Sequence, residues 1–235
     1  MQEFLYGTSM VMLYIIPIAT VMLISRKLFK IPDELFRKIL HFILLGVYLV
    51  FLFAFETWWV SAILASILII IIYPILMLAG KIPAFSTFVN ERKKGEFKSS
   101  MVLALGMMIA SICICWGWLD DKYLVLASTY AWGVGDAFAA LIGKPFGKHK
   151  MKWKFADSHK SIEGSLAMFL TSAIAVFIIL WIRGGLSLVS CLIISVIVSI
   201  VCTLVELCTK NGLDTISCPT VAMLILIPFV KILGR

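Results

Sequence analysis

The sequence predicts an all-α, polytopic integral membrane protein with about eight transmembrane helices and both termini outside. Three observations predict it. Of the 235 residues, 62% are hydrophobic, against about 45–50% in soluble domains. Apolar runs of about 20 residues recur, each long enough to cross a bilayer as a helix. These runs are rich in Ile, Leu and Phe and lack the strict alternation of a barrel strand. Finally, the basic residues segregate to alternate connections between the runs.

Taken in order, the candidate spans are 5–25, 39–55, 58–79, 99–119, 123–142, 162–182, 186–205 and 217–233. The first follows Glu3 rather than a basic segment, and Arg26, Lys27 and Lys30 come after it. It therefore reads as a retained span with its N-terminus outside, not as a cleaved signal peptide. Spans three and four are separated by a polar loop from Gly80 to Lys98. The chain reads as one transmembrane domain, 1–235, with no room for a separate soluble domain. Its basic segment, 143–161, is the longest polar excursion after that loop.

Charge fixes the expected orientation. Strict alternation of eight spans puts all but Lys122, Arg183, Lys231 and Arg235 of the 21 Lys and Arg on one face. That asymmetry is the positive-inside pattern, so the odd-numbered connections are expected in the cytoplasm. It also accounts for the formal charge of +8 without invoking nucleic acid. The six cysteines, Cys113, Cys115, Cys191, Cys202, Cys208 and Cys218, match no zinc spacing and suggest no disulfide framework. They are expected to be small packing residues.

The polar chemistry gathers at the same face. Asp136, Glu163, Glu206 and Asp214 fall at the expected cytoplasmic ends of spans five to eight, and His41, His149 and His159 lie on that side too. A transporter would more often place ionisable groups near the midplane, on broken helices. Asp136 sits seven residues before Gly143, roughly 10 Å inside the helix end. A carboxylate at that depth costs a few kcal/mol unless it has a partner or a metal. Gly133 and Gly135 flank it and would admit a close backbone or ligand.

Beyond it, Gly143-Lys-Pro-Phe-Gly-Lys-His-Lys150 carries Lys144, Gly147, Lys148 and Lys150. It is not a Walker A loop, which needs four residues between its glycines and Ser or Thr after its Lys. Glycines still let backbone N–H groups face a phosphate, and lysines supply charge. Lys160 and Glu163 are three apart and would share a helix face, with Ser161 as the cap of a helix start that favours an anion. In span seven, Ser195, Ser199, Thr203, Glu206 and Lys210 form one helical stripe. With Asp136, Glu206 and Asp214 can complete an oxygen-ligand site for Mg2+. Arg37, Lys38 and His41 begin the second span, and Arg92, Gly95 and Glu96 precede the fourth.

Together these segments resemble the family of CTP-dependent lipid-alcohol kinases: dolichol kinase, phytol kinase and the CTP-using diacylglycerol kinase. The matching pieces are Arg37-Lys-x-x-His41, Arg92-x-x-Gly-Glu96, Gly135-Asp136 with Gly143-x-x-x-Gly147-x-x-Lys150, Lys160-Ser-x-x-Gly164-Ser165, and Glu206 with Leu213-Asp214 and Pro219. The family is distantly related to phosphatidate cytidylyltransferase. That enzyme ends in a His-Gly-Gly and Asp-Arg signature, and the stretch Glu206 to Pro219 has neither.

The resemblance implies transfer of the γ-phosphoryl group of CTP to the hydroxyl of a membrane lipid alcohol. The expected location is the cell membrane of a prokaryote, and the charge pattern puts the site on the cytoplasmic face. Asp136, Glu206 and Asp214 would hold Mg2+ on the nucleotide phosphates. Lys144, Lys148, Lys150 and Lys160 would bind those phosphates, aided by the Ser161 helix start, with Gly147, Arg37 and His41 as further nucleotide-side positions. Glu163 or Asp136 would accept the alcohol proton. The competing readings are a phosphatidate cytidylyltransferase and a membrane transporter.

Overall fold

A computed structural model of the chain describes residues 1–82, 95–151, 160–209 and 212–234. Among these, eight helices are long and apolar enough to cross a membrane. They are α1 (Gln2–Leu28), α2 (Asp33–Phe53), α3 (Trp58–Ala79), α4 (Glu96–Ser111), α5 (Lys122–Phe146), α6 (Ile162–Arg183), α7 (Leu188–Cys208) and α8 (Asp214–Leu233). A π-helical turn, Ile112–Trp118, extends α4 to full membrane length. The expected all-α polytopic architecture is what the chain adopts. The helices form two compact units, 1–119 and 120–235.

Three helices start or end away from the positions that hydropathy predicts. α2 begins at Asp33 rather than 39, because Asp33 and Glu34 occupy its first turn, where carboxylates suit the helix dipole. Asp33 also takes a 2.5 Å ion pair from Arg26, and Glu34 a 3.4 Å one from Arg37. Arg37, Lys38 and His41 are therefore inside α2, not at its start. α5 runs on to Phe146, so Gly143, Lys144 and Pro145 are helical and not part of a loop. α8 starts at Asp214, three residues before the apolar run.

The first unit is tied by side chains that satisfy backbone groups. Glu3 accepts from the N–H groups of Glu56 and Thr57 at the start of α3, and from the Thr57 hydroxyl. Those N–H groups have no partner within the helix. Tyr48 donates to the Ala104 carbonyl at 2.8 Å, joining α2 to α4. Gly46 lies under the Tyr14 hydroxyl and Gly7 under the Phe55 ring, each too close for a Cβ.

The second unit is a ring of four helices, in which α5 packs on α6, α6 on α7, α7 on α8 and α8 back on α5. The α5–α6 contact is the tightest. A Cβ on Gly164 would stand 2.9 Å from the Ala139 carbonyl oxygen and 3.1 Å from the Gly143 Cα. Higher on the same pair, Ser172 donates to the Ala131 carbonyl at 2.5 Å. Small residues at such spacing let helix backbones approach where lipid supplies no hydrophobic drive. At the far end of this pair, Asp121 caps α5 by accepting from the N–H groups of Tyr123 and Leu124. Its other oxygen takes Arg183 Nε at 2.6 Å, from the last turn of α6. Cys202 of α7 and Cys218 of α8 are buried and each faces the other's carbonyl.

One buried hydroxyl departs from this economy. Thr129 Oγ1 in α5 has no hydrogen-bond partner among the described residues, whereas Ser128 beside it donates to Leu124. An orphaned buried hydroxyl costs about 1–3 kcal/mol. Thr129→Val, which keeps the shape and removes the hydroxyl, is expected to leave the thermal midpoint in detergent unchanged or raise it. A fall of several degrees would show that the hydroxyl does have a partner.

Candidate functional site at one end of the second unit

The sequence brings four polar segments to one end of the second unit. They are the C-terminal half of α5, the start of α6, the end of α7 and the start of α8. Asp136 lies ten residues before the end of α5, about 15 Å along the helix. That is farther from the helix end than the apolar pattern predicts, because α5 continues past Gly143. Glu206 occupies the last turn of α7, and Asp214 opens α8.

The three carboxylates share one electrostatic neighbourhood. The Glu206 side chain feels both Asp136 and Asp214, and the Cys218 thiol feels all three. Trp132, one turn before Asp136, donates its indole N–H to Asp214 Oδ2 at 2.9 Å. This contact orients the first carboxylate of α8 from α5. Sequence reasoning gave Trp132 no role. No spacing within α5 points to its partner, which lies 82 positions on.

Lys160 supplies the positive charge. Its ammonium lies 2.7 Å from Glu206 Oε1, with both side chains largely buried (21% and 10% exposed). It also donates to the backbone carbonyls of Glu206 and Thr209. Spacing alone puts Lys160 and Glu163 on one helix face, and the structure corrects this. Lys160 precedes the N-cap of α6 and so lies outside the helix.

Glu163 turns to the basic segment instead. It accepts the His149 backbone N–H at 3.2 Å, and His149 Nδ1 stands 2.7 Å from its Oε1. This closes the base of the segment together with an antiparallel bridge between Lys150 and Ser161. Met151 N–H donates to the Lys160 carbonyl, and Ile162 N–H to the His149 carbonyl, both at 3.0 Å. Ser161 is the N-cap that its position predicts, accepting from Gly164 N–H at 3.2 Å. It is buried, and its hydroxyl also donates to the Gly143 carbonyl.

Gly147 has a different use from the one its motif suggests. A Cβ there would stand 2.2 Å from the Gly143 carbonyl oxygen and 2.5 Å from Ser161 Oγ. The glycine lets the chain turn tightly off α5 and press on the cap of α6. Gly135 likewise serves packing, against Ser172 and Met168. Lys144, Lys148 and Lys150 are exposed around this turn. Arg37 and His41 belong to α2 in the first unit. Arg92, Lys152, Lys154, His159 and Lys210 lie outside the described residues, as does the side chain of Glu96.

Among the described residues, no three His, Cys, Asp or Glu side chains converge as a protein-only metal cage. Mg2+ seldom needs one, since it is usually bound by one or two carboxylates together with substrate phosphates. Asp136 and Asp214 are hard oxygen donors of that kind, while Glu206 faces Lys160. Comparison with protein-family models, curated proteins and solved structures finds no match for this chain. The functional reading therefore rests on its own side chains and on the motif resemblance.

Proposed function

We propose that this protein is a CTP-dependent lipid-alcohol kinase, which moves the γ-phosphoryl group of CTP to the hydroxyl of a membrane lipid alcohol. The observation that carries the reading is the gathering of Asp136, Glu206, Asp214 and Lys160 at one end of a four-helix membrane unit, beside exposed Lys144, Lys148 and Lys150. Phosphoryl transfer asks a protein mainly for positioning and for neutralisation of phosphate charge. A site at the end of apolar spans lets a water-soluble nucleotide meet a hydroxyl whose apolar tail stays in the bilayer.

In this reading Lys144, Lys148 and Lys150 bind the nucleotide phosphates as point charges. Asp136 and Asp214 hold the Mg2+ that accompanies them, and Trp132 keeps Asp214 in place. When bound, the ion would offset charge on the β- and γ-phosphates. Glu163, which His149 engages, or Asp136 would take the alcohol proton. The enzyme would sit in the cell membrane of a prokaryote with this end in the cytoplasm, as the distribution of Lys and Arg suggests.

The test is direct. Purified protein is incubated with labelled CTP or ATP, Mg2+ and a panel of lipid alcohols: polyprenols, phytol and diacylglycerol. CDP with a lipid phosphate is expected. Pyrophosphate with a CDP-lipid, formed from phosphatidate, would move the assignment to cytidylyl transfer. Failure to bind either nucleotide would leave the transporter reading.

A further inference from the structure

An ammonium group has three N–H donors and no acceptor. In Lys160 three oxygens take them: the Glu206 carboxylate at 2.7 Å, the Thr209 carbonyl at 3.3 Å and the Glu206 carbonyl. The two carbonyls belong to the end of α7, where C=O groups run out of helical partners and the dipole favours a cation. The main chain of Lys160 is fixed as well, since its own carbonyl accepts from Met151 N–H. The residue is thus a strut, with its backbone held at the start of α6 and its head held at the end of α7. Its donors are filled without any phosphate.

We infer that Lys160 is a positioning residue and not a phosphate ligand: it fastens α6 to the last turn of α7 and so sets where Glu206, and Asp214 after it, stand. Glu206 is then its counter-ion. Without the lysine, Glu206 would share its neighbourhood with Asp136 and Asp214 and lose its ion-pair partner. Like charges gathered in that way repel and displace one another. The role in catalysis rests on the phosphotransfer reading above. The fastening of α6 to α7 does not.

Two readouts on the full chain in detergent or nanodiscs separate these layers. Hydrogen exchange at the amides of residues 205–209 reports the strut itself. Steady-state kinetics with CTP and the preferred lipid alcohol report its consequence. For Lys160→Met we expect faster exchange at the end of α7. We also expect kcat to fall about tenfold or more, with the nucleotide KM kept within about twofold. Lys160→Arg, which restores donors and charge, should regain part of kcat. Glu206→Gln keeps an acceptor but removes the charge, and should shift both readouts the same way if Lys160→Met does not fold.

A tenfold rise in nucleotide KM with kcat retained would make Lys160 a phosphate ligand and overturn the inference. Unchanged exchange at the end of α7 would overturn it too. If the wild-type protein uses neither CTP nor ATP on any lipid alcohol, the kinase reading fails, and exchange alone decides the strut.

Discussion

Asp136→Asn is expected to reduce phosphoryl transfer by at least about a hundredfold while the protein still folds and inserts. Asn has nearly the shape of Asp and keeps a carbonyl acceptor, so packing along α5 is preserved. What it removes is the charge. In the proposed reaction that charge would hold the ion on the phosphates. Neutralising it also relieves repulsion with Glu206, which lies in its field. The variant should therefore stay folded, because the shape of the side chain is kept. Thermal unfolding in detergent and initial rates with labelled CTP check the two halves separately. Turnover near the parent rate would remove Asp136 from the reaction.

Gly164→Val should produce the largest loss of stability. The new Cβ would meet the Ala139 carbonyl oxygen at 2.9 Å and the Gly143 Cα at 3.1 Å. Both are backbone atoms, so no side chain can swing aside, and α5 and α6 must separate. Overpacking of this kind costs about 1–3 kcal/mol and sometimes more. Here it also disturbs the Ser161 cap, whose partner is the Gly164 N–H. Gly106 in α4 is the control. A Cβ there would meet nothing within 4 Å, and Gly106→Ala should gain about 0.5–1 kcal/mol of helix stability. Midpoints of thermal unfolding for the two variants should move in opposite directions. A Gly164→Val protein as stable as the parent would contradict the close α5–α6 contact.

The sequence makes the spans legible because each must keep about 20 apolar residues in hydrocarbon, which leaves a strong local signal. It is a poor guide to where helices end. Asp33, Glu34, Lys144 and Asp214 are helical but polar, and a hydropathy window reads them as loop. Gly143 and Pro145 look like terminators. Gly143 is instead spent on the approach of α6. Pro145 lies in the last turn of α5, where its missing N–H removes one i→i−4 bond at the helix end and breaks nothing in mid-helix.

The site was half visible. Its carboxylates stand out because charge is rare in apolar segments, and Ser161 stands out because a cap has a local pattern. The partners do not. Lys160 with Glu206, Trp132 with Asp214 and His149 with Glu163 join residues on different helices or across the basic segment. No spacing rule within one helix reveals such pairs. Proximity in sequence misled at Lys160 and Glu163, which turn to different elements.

The Asp121–Arg183 pair makes a stator of α5 and α6. With the glycine contact at one end and this ion pair at the other, the two helices are clamped at both ends. Among the described residues, no such double clamp holds α7 and α8 to that pair. Around the site they are moored to the rest by the strut of Lys160 and the indole of Trp132. Motion in this half of the molecule should then be a swing of the α7–α8 hairpin against a fixed pair. Its mooring points hold Glu206 and Asp214, beside the proposed chemistry, so loading the site and moving the hairpin would be one mechanical event.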